Sequence, residues 1–261
     1  MAKYYGGCDA GSTYTKCVIL DETGKIAANI TKRSRINPVL SAKDSLDEAV
    51  ALVDGLNSAD ELDYLIGTGY GRNADENISE ISCHAMGVHV AAPDVKAIID
   101  IGGQDVKGIA IDTDGTVLNF SMNDKCAAGT GRFFESMARA FEMSLDEFSK
   151  LSLTAKNVIP ITAQCAVFAE SEVISLVGEG KPMEEIAAGI ELSVAKRCFV
   201  MAKKAGVVES VTLTGGCAKN EGLKQAIEKV LKVKVVELPI DPQLMGALGA
   251  AEYARQKGMA R

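Results

Sequence analysis

The chain has 261 residues, of which 47% are hydrophobic and 24% charged, with a net charge of −7. That length holds one large domain or two compact lobes, each able to bury its own core. The acidic balance argues against a phosphate-backbone binder, and a chain with no Trp and 5% aromatics lacks a stacking platform for single-stranded nucleic acid. No apolar run approaches the roughly 18 residues that a membrane span needs. The opening Met1-Ala2-Lys3-Tyr4-Tyr5-Gly6-Gly7 enters a motif without the apolar core of a signal peptide. A cytoplasmic protein with neither nucleic-acid nor membrane partners is expected. Seven cysteines, an odd number with no Cys-x-x-Cys among them, suggest neither a disulfide framework nor a zinc ribbon. Core packing, catalysis or a metal centre remain for them.

The first elements in chain order form a unit that returns 91 residues later without a gap. Cys8-Asp9-Ala10-Gly11-Ser12-Thr13 is followed by Lys16 to Asp21 and Gly24. Ile99-Asp100-Ile101-Gly102-Gly103-Gln104 is followed by Lys107 to Asp112 and Gly115. Asp9 matches Asp100, Gly11 matches Gly102, Lys16 matches Lys107, Asp21 matches Asp112 and Gly24 matches Gly115. Each copy reads as strand, Asp-x-Gly turn, strand, Asp-x-x-Gly turn and a third strand, at 26–30 and at 116–122. Glycine at the first corner lets backbone N–H groups approach phosphate oxygens. An Asp beside such a corner is suited to hold Mg²⁺, which bridges phosphates. Two such turns, from two similar lobes, are expected to clamp a triphosphate.

Between and after the copies lie further signals. His84 and His89 are the only histidines, and the helical setting of His84 points to packing or surface rather than catalysis. Asn123-Asp124-Lys125-Cys126-Ala127-Ala128-Gly129-Thr130-Gly131-Arg132 places a cysteine before a glycine-rich step. An amphipathic helix carrying Phe133, Phe134, Met137, Ala138 and Phe141 is expected to follow. A thiol there feels the positive end of the helix dipole, which favours thiolate. Cys165 likewise precedes a helical pattern of Val167, Phe168, Val173, Ile174 and Val177. Glu170 and Glu172 on it read as solvated or partner-facing rather than as an acid–base pair. The other five cysteines sit in apolar or glycine contexts and read as packing residues. Val211 to Thr214 reads as a buried strand ending in Gly215-Gly216 and opening a helix at Leu223, Ala226, Ile227 and Val230, a common nucleotide corner. Small residues at 246, 247, 249, 250 and 251 let the last helix cross a neighbour closely and fit a hinge between lobes or plain core packing.

First phosphate turn, second phosphate turn, adenosine Gly-Gly and final small-residue helix, in this order, resemble the sugar kinase/Hsp70/actin superfamily. Closer blocks are Gly67-Thr68-Gly69-Tyr70-Gly71-Arg72-Asn73, Glu80-Ile81-Ser82-Cys83-His84-Ala85, Ile99 to Asp105, Asn123 to Gly131, and Cys165 to Val173. Together they resemble the activator ATPases (component A) of 2-hydroxyacyl-CoA dehydratases, which belong with the ATPase components of benzoyl-CoA reductases. The resemblance spans nearly the whole chain with no major departure. It implies an α/β fold of two actin-like lobes with duplicated ribonuclease H-like cores. The first lobe runs over 1–95 and is completed by the helix at 246–261; the second, over 96–245, carries the cluster ligands and the adenosine site. It further implies an oxygen-sensitive homodimer bridged by one 4Fe–4S cluster, held by Cys126 and Cys165 of each subunit. Four thiolates are the usual complement of such a cluster, and an isologous two-fold axis doubles two cysteines to four.

The activity so implied is an ATPase that passes one low-potential electron to a two-subunit (R)-2-hydroxyacyl-CoA dehydratase, taking it from ferredoxin or flavodoxin. ATP binding and hydrolysis would shift the lobes and the helices at the cluster. Asp9 and Asp100 are expected to organise Mg²⁺. Gly11, Ser12, Thr13, Gly102 and Gly103 would hold phosphates, with Lys16 reaching them or lying solvated. Gln104 would orient the attacking water, and Gly215, Gly216 and Lys219 would line the adenosine pocket of ATP or ADP. Two rivals share the nucleotide residues. A small-molecule kinase of the same superfamily has no use for Cys126 with Cys165, and a regulatory ATPase of the actin or Hsp70 type predicts a protein without iron.

Overall fold

A computed structural model describes residues 2–70, 74–163, 165–206 and 209–260. Gly71, Arg72 and Asn73 of the Gly67–Asn73 motif lie outside the described residues. The chain divides into two compact units. One comprises Met1–Val95, Ile111–Val117 and Leu238–Arg261, and the other Lys96–Ala110 and Leu118–Glu237. Among the described residues no helix is long and apolar enough to cross a membrane.

The first unit holds a five-stranded sheet in the order β3-β2-β1-β4-β5. Its strands are β1 (Tyr4–Ala10), β2 (Tyr14–Asp21), β3 (Ile26–Arg33), β4 (Tyr64–Gly69) and β5 (Glu76–Asn77). β1 pairs antiparallel with β2, setting Cys8 opposite Cys17 and Asp9 opposite Lys16, and parallel with β4. β2, with four successive buried residues from Cys17 to Leu20, has the continuous apolar run of a central strand. Helix α1 (Pro38–Val50) starts on Asn37, whose side chain accepts from the N–H groups of Val39 and Leu40, with Pro38 in the first turn. It buries Ala42, Leu46, Ala49 and Val50 in a core with Cys8, Cys17 and Ile19.

Helices α2 (Glu80–Ala91) and α8 (Met245–Met259) complete this unit. The small residues expected on the last helix do let it cross closely, inside the first unit. A Cβ at Gly249 would collide with the Cys83 carbonyl of α2, and one at Gly7 with Ala247 and Ala251. Glycine is required where backbones touch in this way.

The second unit repeats the opening motif. Strands β6 (Ala97–Ile101), β7 (Val106–Ile111), β8 (Val117–Asn123) and β9 (Val211–Thr214) form a sheet in the order β8-β7-β6-β9. β6 pairs antiparallel with β7, setting Asp100 opposite Lys107, and parallel with β9, setting Asp100 opposite Thr214. The duplication therefore extends to register. Both first corners close with a glycine N–H, Gly11 to the Tyr14 carbonyl at 3.1 Å and Gly102 to the Asp105 carbonyl at 3.0 Å. Both second corners put glycine at positive φ, +86° at Gly24 and +81° at Gly115, a conformation that glycine adopts without steric cost.

Five helices follow in this unit: α3 (Gly131–Ala140), α4 (Leu145–Ser152), α5 (Ala166–Gly178), α6 (Met183–Ala205) and α7 (Glu221–Leu231). Phe133, Phe134, Met137, Ala138 and Phe141 are all buried, as their spacing predicts. Phe134 and Phe141 pack edge-on against Phe148 of α4, with ring centroids 6.2 and 5.4 Å away. Helix α5 differs from its apolar sequence pattern. Val173 is buried, but Val167, Phe168 and Ile174 are 68%, 69% and 56% exposed.

Candidate functional site

In the first unit, the β1–β2 corner gathers Asp9, Gly11, Ser12, Thr13 and Lys16. Their place follows from register: Asp9 and Lys16 face one another across two strands. Lys16 Nζ donates to Asp9 Oδ2 at 2.6 Å. Asp9 is 1% exposed, yet its Oδ1 has no hydrogen-bond partner, and the buried Thr13 hydroxyl also lacks one. Buried polar atoms are satisfied as a rule, because an unmade bond costs about 1–3 kcal/mol. Two such atoms at one glycine corner are a ligand's complement: a carboxylate oxygen for a cation and a hydroxyl for a phosphate. Neighbouring backbone is kept small around the carboxylate. Gly69, at φ +74°, would put a Cβ 3.0 Å from Asp9 Oδ1. The residues present fit Mg²⁺ at Asp9, whose hard oxygen suits that ion.

His84 was not legible as part of this corner. It is buried on α2. A Cβ at Gly246 would fall 3.0 Å from both His84 Nε2 and Asp9 Oδ2, and Glu80 Oε1 lies 3.9 Å from the same nitrogen. The helical period marked a buried face but not what that face meets. Cys8 and Cys17 pack directly beneath the corner with sulfurs 3.1 Å apart. The hydrogen bond to Cys8, together with burial, pushes the Cys17 thiol well above its ordinary range, and both residues serve the packing of this core.

In the second unit, Asp100 sits 2% exposed with both oxygens engaged. Lys107 Nζ lies 3.1 Å from Oδ2, and the Thr214 hydroxyl donates to Oδ1 at 2.9 Å. Lys107 also reaches Asp105 at 2.9 Å. Beside it, Gly215 at φ +83° brings the β9 corner so close that a Cβ would fall 2.9 Å from Asp100 Oδ1. A short 3-10 turn, Gly216–Lys219, then leads to Asn220, whose side chain caps α7 by accepting from the Leu223 N–H at 2.8 Å. Asp100, Gly102, Gly103, Gly215 and Gly216 thus share one end of this sheet. Gln104 is exposed in the turn after them.

Cys126 and Cys165 lie in the segments that lead into α3 and α5. Cys165 is exposed at the N-cap of α5. Cys126 is half-buried in the turn that leads into α3. Cys83, Cys198 and Cys217 are held as thiols, burial pushing each up to about 12. Cysteine sulfur is the usual ligand of an iron–sulfur cluster, and Cys126 and Cys165, outside the packed cores, fit as iron ligands. Glu170 and Glu172 are internal ties rather than a solvated pair. Glu170 accepts from the Ser136 hydroxyl of α3 at 2.6 Å. Glu172 accepts from the N–H groups of Thr162 and Ala163 at 3.0 and 2.8 Å. Burial opposes its charge, but those donors prevail and its pKa is lowered.

A duplicated Asp-Gly corner, one copy on each of two sheets, with a strand-to-helix Gly-Gly corner beside the second copy, is the pattern of an actin-like ATPase fold. The chain belongs to the BadF/BadG/BcrA/BcrD ATPase family, whose model matches residues 7–254. It is 46% identical over 257 residues to the activator of lactoyl-CoA dehydratase from Anaerotignum propionicum, covering 96% of this chain and 97% of that protein. It is 42% identical to the (R)-2-hydroxyglutaryl-CoA dehydratase activating ATPase of Acidaminococcus fermentans, covering 98% of this chain and 99% of that one. Its fold matches the crystal structure of the activator of the 2-hydroxyisocaproyl-CoA dehydratase from Clostridium difficile with bound ADPNP. The TM-score there is 0.91 at 42% identity, covering 98% of this chain and 96% of that chain. The chain is an ATPase.

Proposed function

We propose that this ATPase is the activator of an (R)-2-hydroxyacyl-CoA dehydratase, to which it delivers one low-potential electron per activation. The observation that carries the reading is the placing of Cys126 and Cys165, one before α3 and one capping α5, as thiols open to an external metal. Two copies of the chain supply four thiolates to a single 4Fe–4S cluster. The exposed Val167, Phe168 and Ile174 of α5 support the dimer, because a run of large apolar side chains beside Cys165 marks a surface that assembly covers. When bound, such a cluster supplies the electron, which ferredoxin or flavodoxin replenishes in a reducing cytoplasm.

The chain's own residues do the nucleotide work. Asp9 would hold Mg²⁺ through Oδ1, the oxygen that has no protein partner, while Asp100, paired with Lys107 and hydrogen-bonded by Thr214, orders the second turn. Gly11, Ser12, Thr13, Lys16, Gly102 and Gly103 contact phosphate, and Gly215, Gly216 and Lys219 border the adenosine. The kinase reading leaves Cys126 and Cys165 without a role. Anaerobic purification with iron supplied decides the matter. A brown protein with close to four irons per dimer, able to start a cognate dehydratase only with ATP, is the expected result. A folded, colourless protein overturns the redox reading.

A further inference from the structure

The second phosphate turn is stitched to the helix that follows Cys126. The Gly131 N–H donates to the Gly102 carbonyl at 2.9 Å and the Arg132 N–H to the Gly103 carbonyl at 3.0 Å. The fit leaves no slack: a Cβ at 131 would fall 3.3 Å from both the Gly102 oxygen and Gly103 Cα. The next residue of the turn, Gln104, meets the Arg132 side chain. With its amide oxygen toward the guanidinium, Gln104 accepts from Arg132 Nε at 3.2 Å and from Nη2 at 3.3 Å. The opposite orientation would set amide donors against guanidinium donors, so the hydrogen-bond network fixes the choice.

A glutamine amide has one accepting oxygen and two N–H donors. Orienting an attacking water by accepting its proton uses the oxygen, which here faces Arg132. The NH₂ group is what Gln104 has left to offer, and its natural partner is an acceptor-only oxygen such as that of a terminal phosphate. We propose that Arg132 is a positioning residue. It engages the Gln104 amide oxygen and commits the amide to donate to the terminal phosphate of ATP, and so registers ATP against ADP at the α3 N-terminus, six residues from Cys126. This rests on the nucleotide assignment above and sharpens the role of Gln104. It also meets the requirement that a ligand-driven change needs a contact made in one state and not in the other.

The test measures affinities for a non-hydrolysable ATP analogue and for ADP, with Mg²⁺ present, in the anaerobically purified protein. Both side chains are exposed, so their removal opens no core cavity. Arg132→Ala and Gln104→Ala each lower analogue affinity about tenfold, the worth of one well-made hydrogen bond to a charged group, and leave ADP affinity unchanged. The double variant is no weaker than Gln104→Ala alone, because Arg132 acts through Gln104. Gln104→Glu keeps an acceptor for Arg132 but turns an oxygen toward phosphate, and binds the analogue more weakly than Gln104→Ala. The proposal is overturned by an unchanged analogue-to-ADP ratio, by equal losses for both nucleotides, by losses that add in the double variant, or by wild-type analogue binding in Gln104→Glu. None of these readouts needs iron, so a protein without the cluster would refute the electron-transfer reading and leave this one standing.

Discussion

Lys107 Nζ lies 3.1 Å from Asp100 Oδ2 on the facing strand, and both side chains are almost wholly buried. At the equivalent position Lys16 holds Asp9 at 2.6 Å but keeps more contact with solvent. Removing one partner of a buried pair leaves an uncompensated charge and costs about 3–5 kcal/mol. Lys107→Ala, which leaves Asp100 buried with the Thr214 hydroxyl in place of a cation, is therefore expected to lower the thermal midpoint by several degrees. A wild-type midpoint in Lys107→Ala would contradict the reading of this pair as a buried, mutually compensated one.

Asp9 Oδ1 is the carboxylate oxygen that its own unit leaves unpartnered. Asp9→Asn keeps the shape and removes the charge that draws a divalent cation. We expect Mg²⁺-dependent phosphate release to fall about a hundredfold or more with the fold intact, and Asp100→Ala to lose it as well. Unchanged turnover in Asp9→Asn would rule out the metal assignment.

Cys126→Ser and Cys165→Ser each remove a thiolate that iron needs. Either change is expected to abolish the visible absorbance and the iron content of the anaerobic protein. Nucleotide affinity should stay within about twofold, since neither residue lies in a phosphate turn. A full iron complement in either variant would reassign the ligands.

Glu191 of α6 is buried against α4 and the start of α7, where a Cβ at Gly222 would collide with its carboxylate and with Ser152. Burial raises its pKa to about 7, against the opposing hydrogen bonds of Ser152 and Asn220. A raised carboxyl binds its proton more tightly in the folded state, so its stabilising effect is present below the unfolded value and is lost as pH climbs to about 7. The change is on the order of 3 kcal/mol. Glu191→Gln should flatten that fall, melting higher than the wild type at pH about 8 and losing this advantage near pH about 5. Parallel melting curves across that range would show that Glu191 is not the group responsible.

The sequence carried the duplicated corners clearly. Asp, Gly and Lys in register 91 residues apart had to fall on matching strands, and the pairing of Asp9 with Lys16 and of Asp100 with Lys107 follows. The amphipathic α3 was legible because its five apolar residues share one helical face. Contacts that join distant segments were not. No spacing rule brings His84 beside Asp9, and the ties of Glu170 and Glu172 depend on how neighbouring segments lie. Glu191 did leave a trace. It stands between Ile190 and Val194 on the stripe that buries Ala187, Ala195 and Cys198, and a lone carboxylate at such a position marks a perturbed group.

Glu172 reaches back from the second turn of α5 to grip the backbone at Thr162 and Ala163, just ahead of Cys165. The stretch that delivers this thiol is thus moored by the polypeptide itself. In energetic terms, much of the cost of ordering this segment is met during folding, independently of any bound group. On the reading proposed above, the apoprotein would be a ready receptacle, folded before the cluster is built and after it is lost.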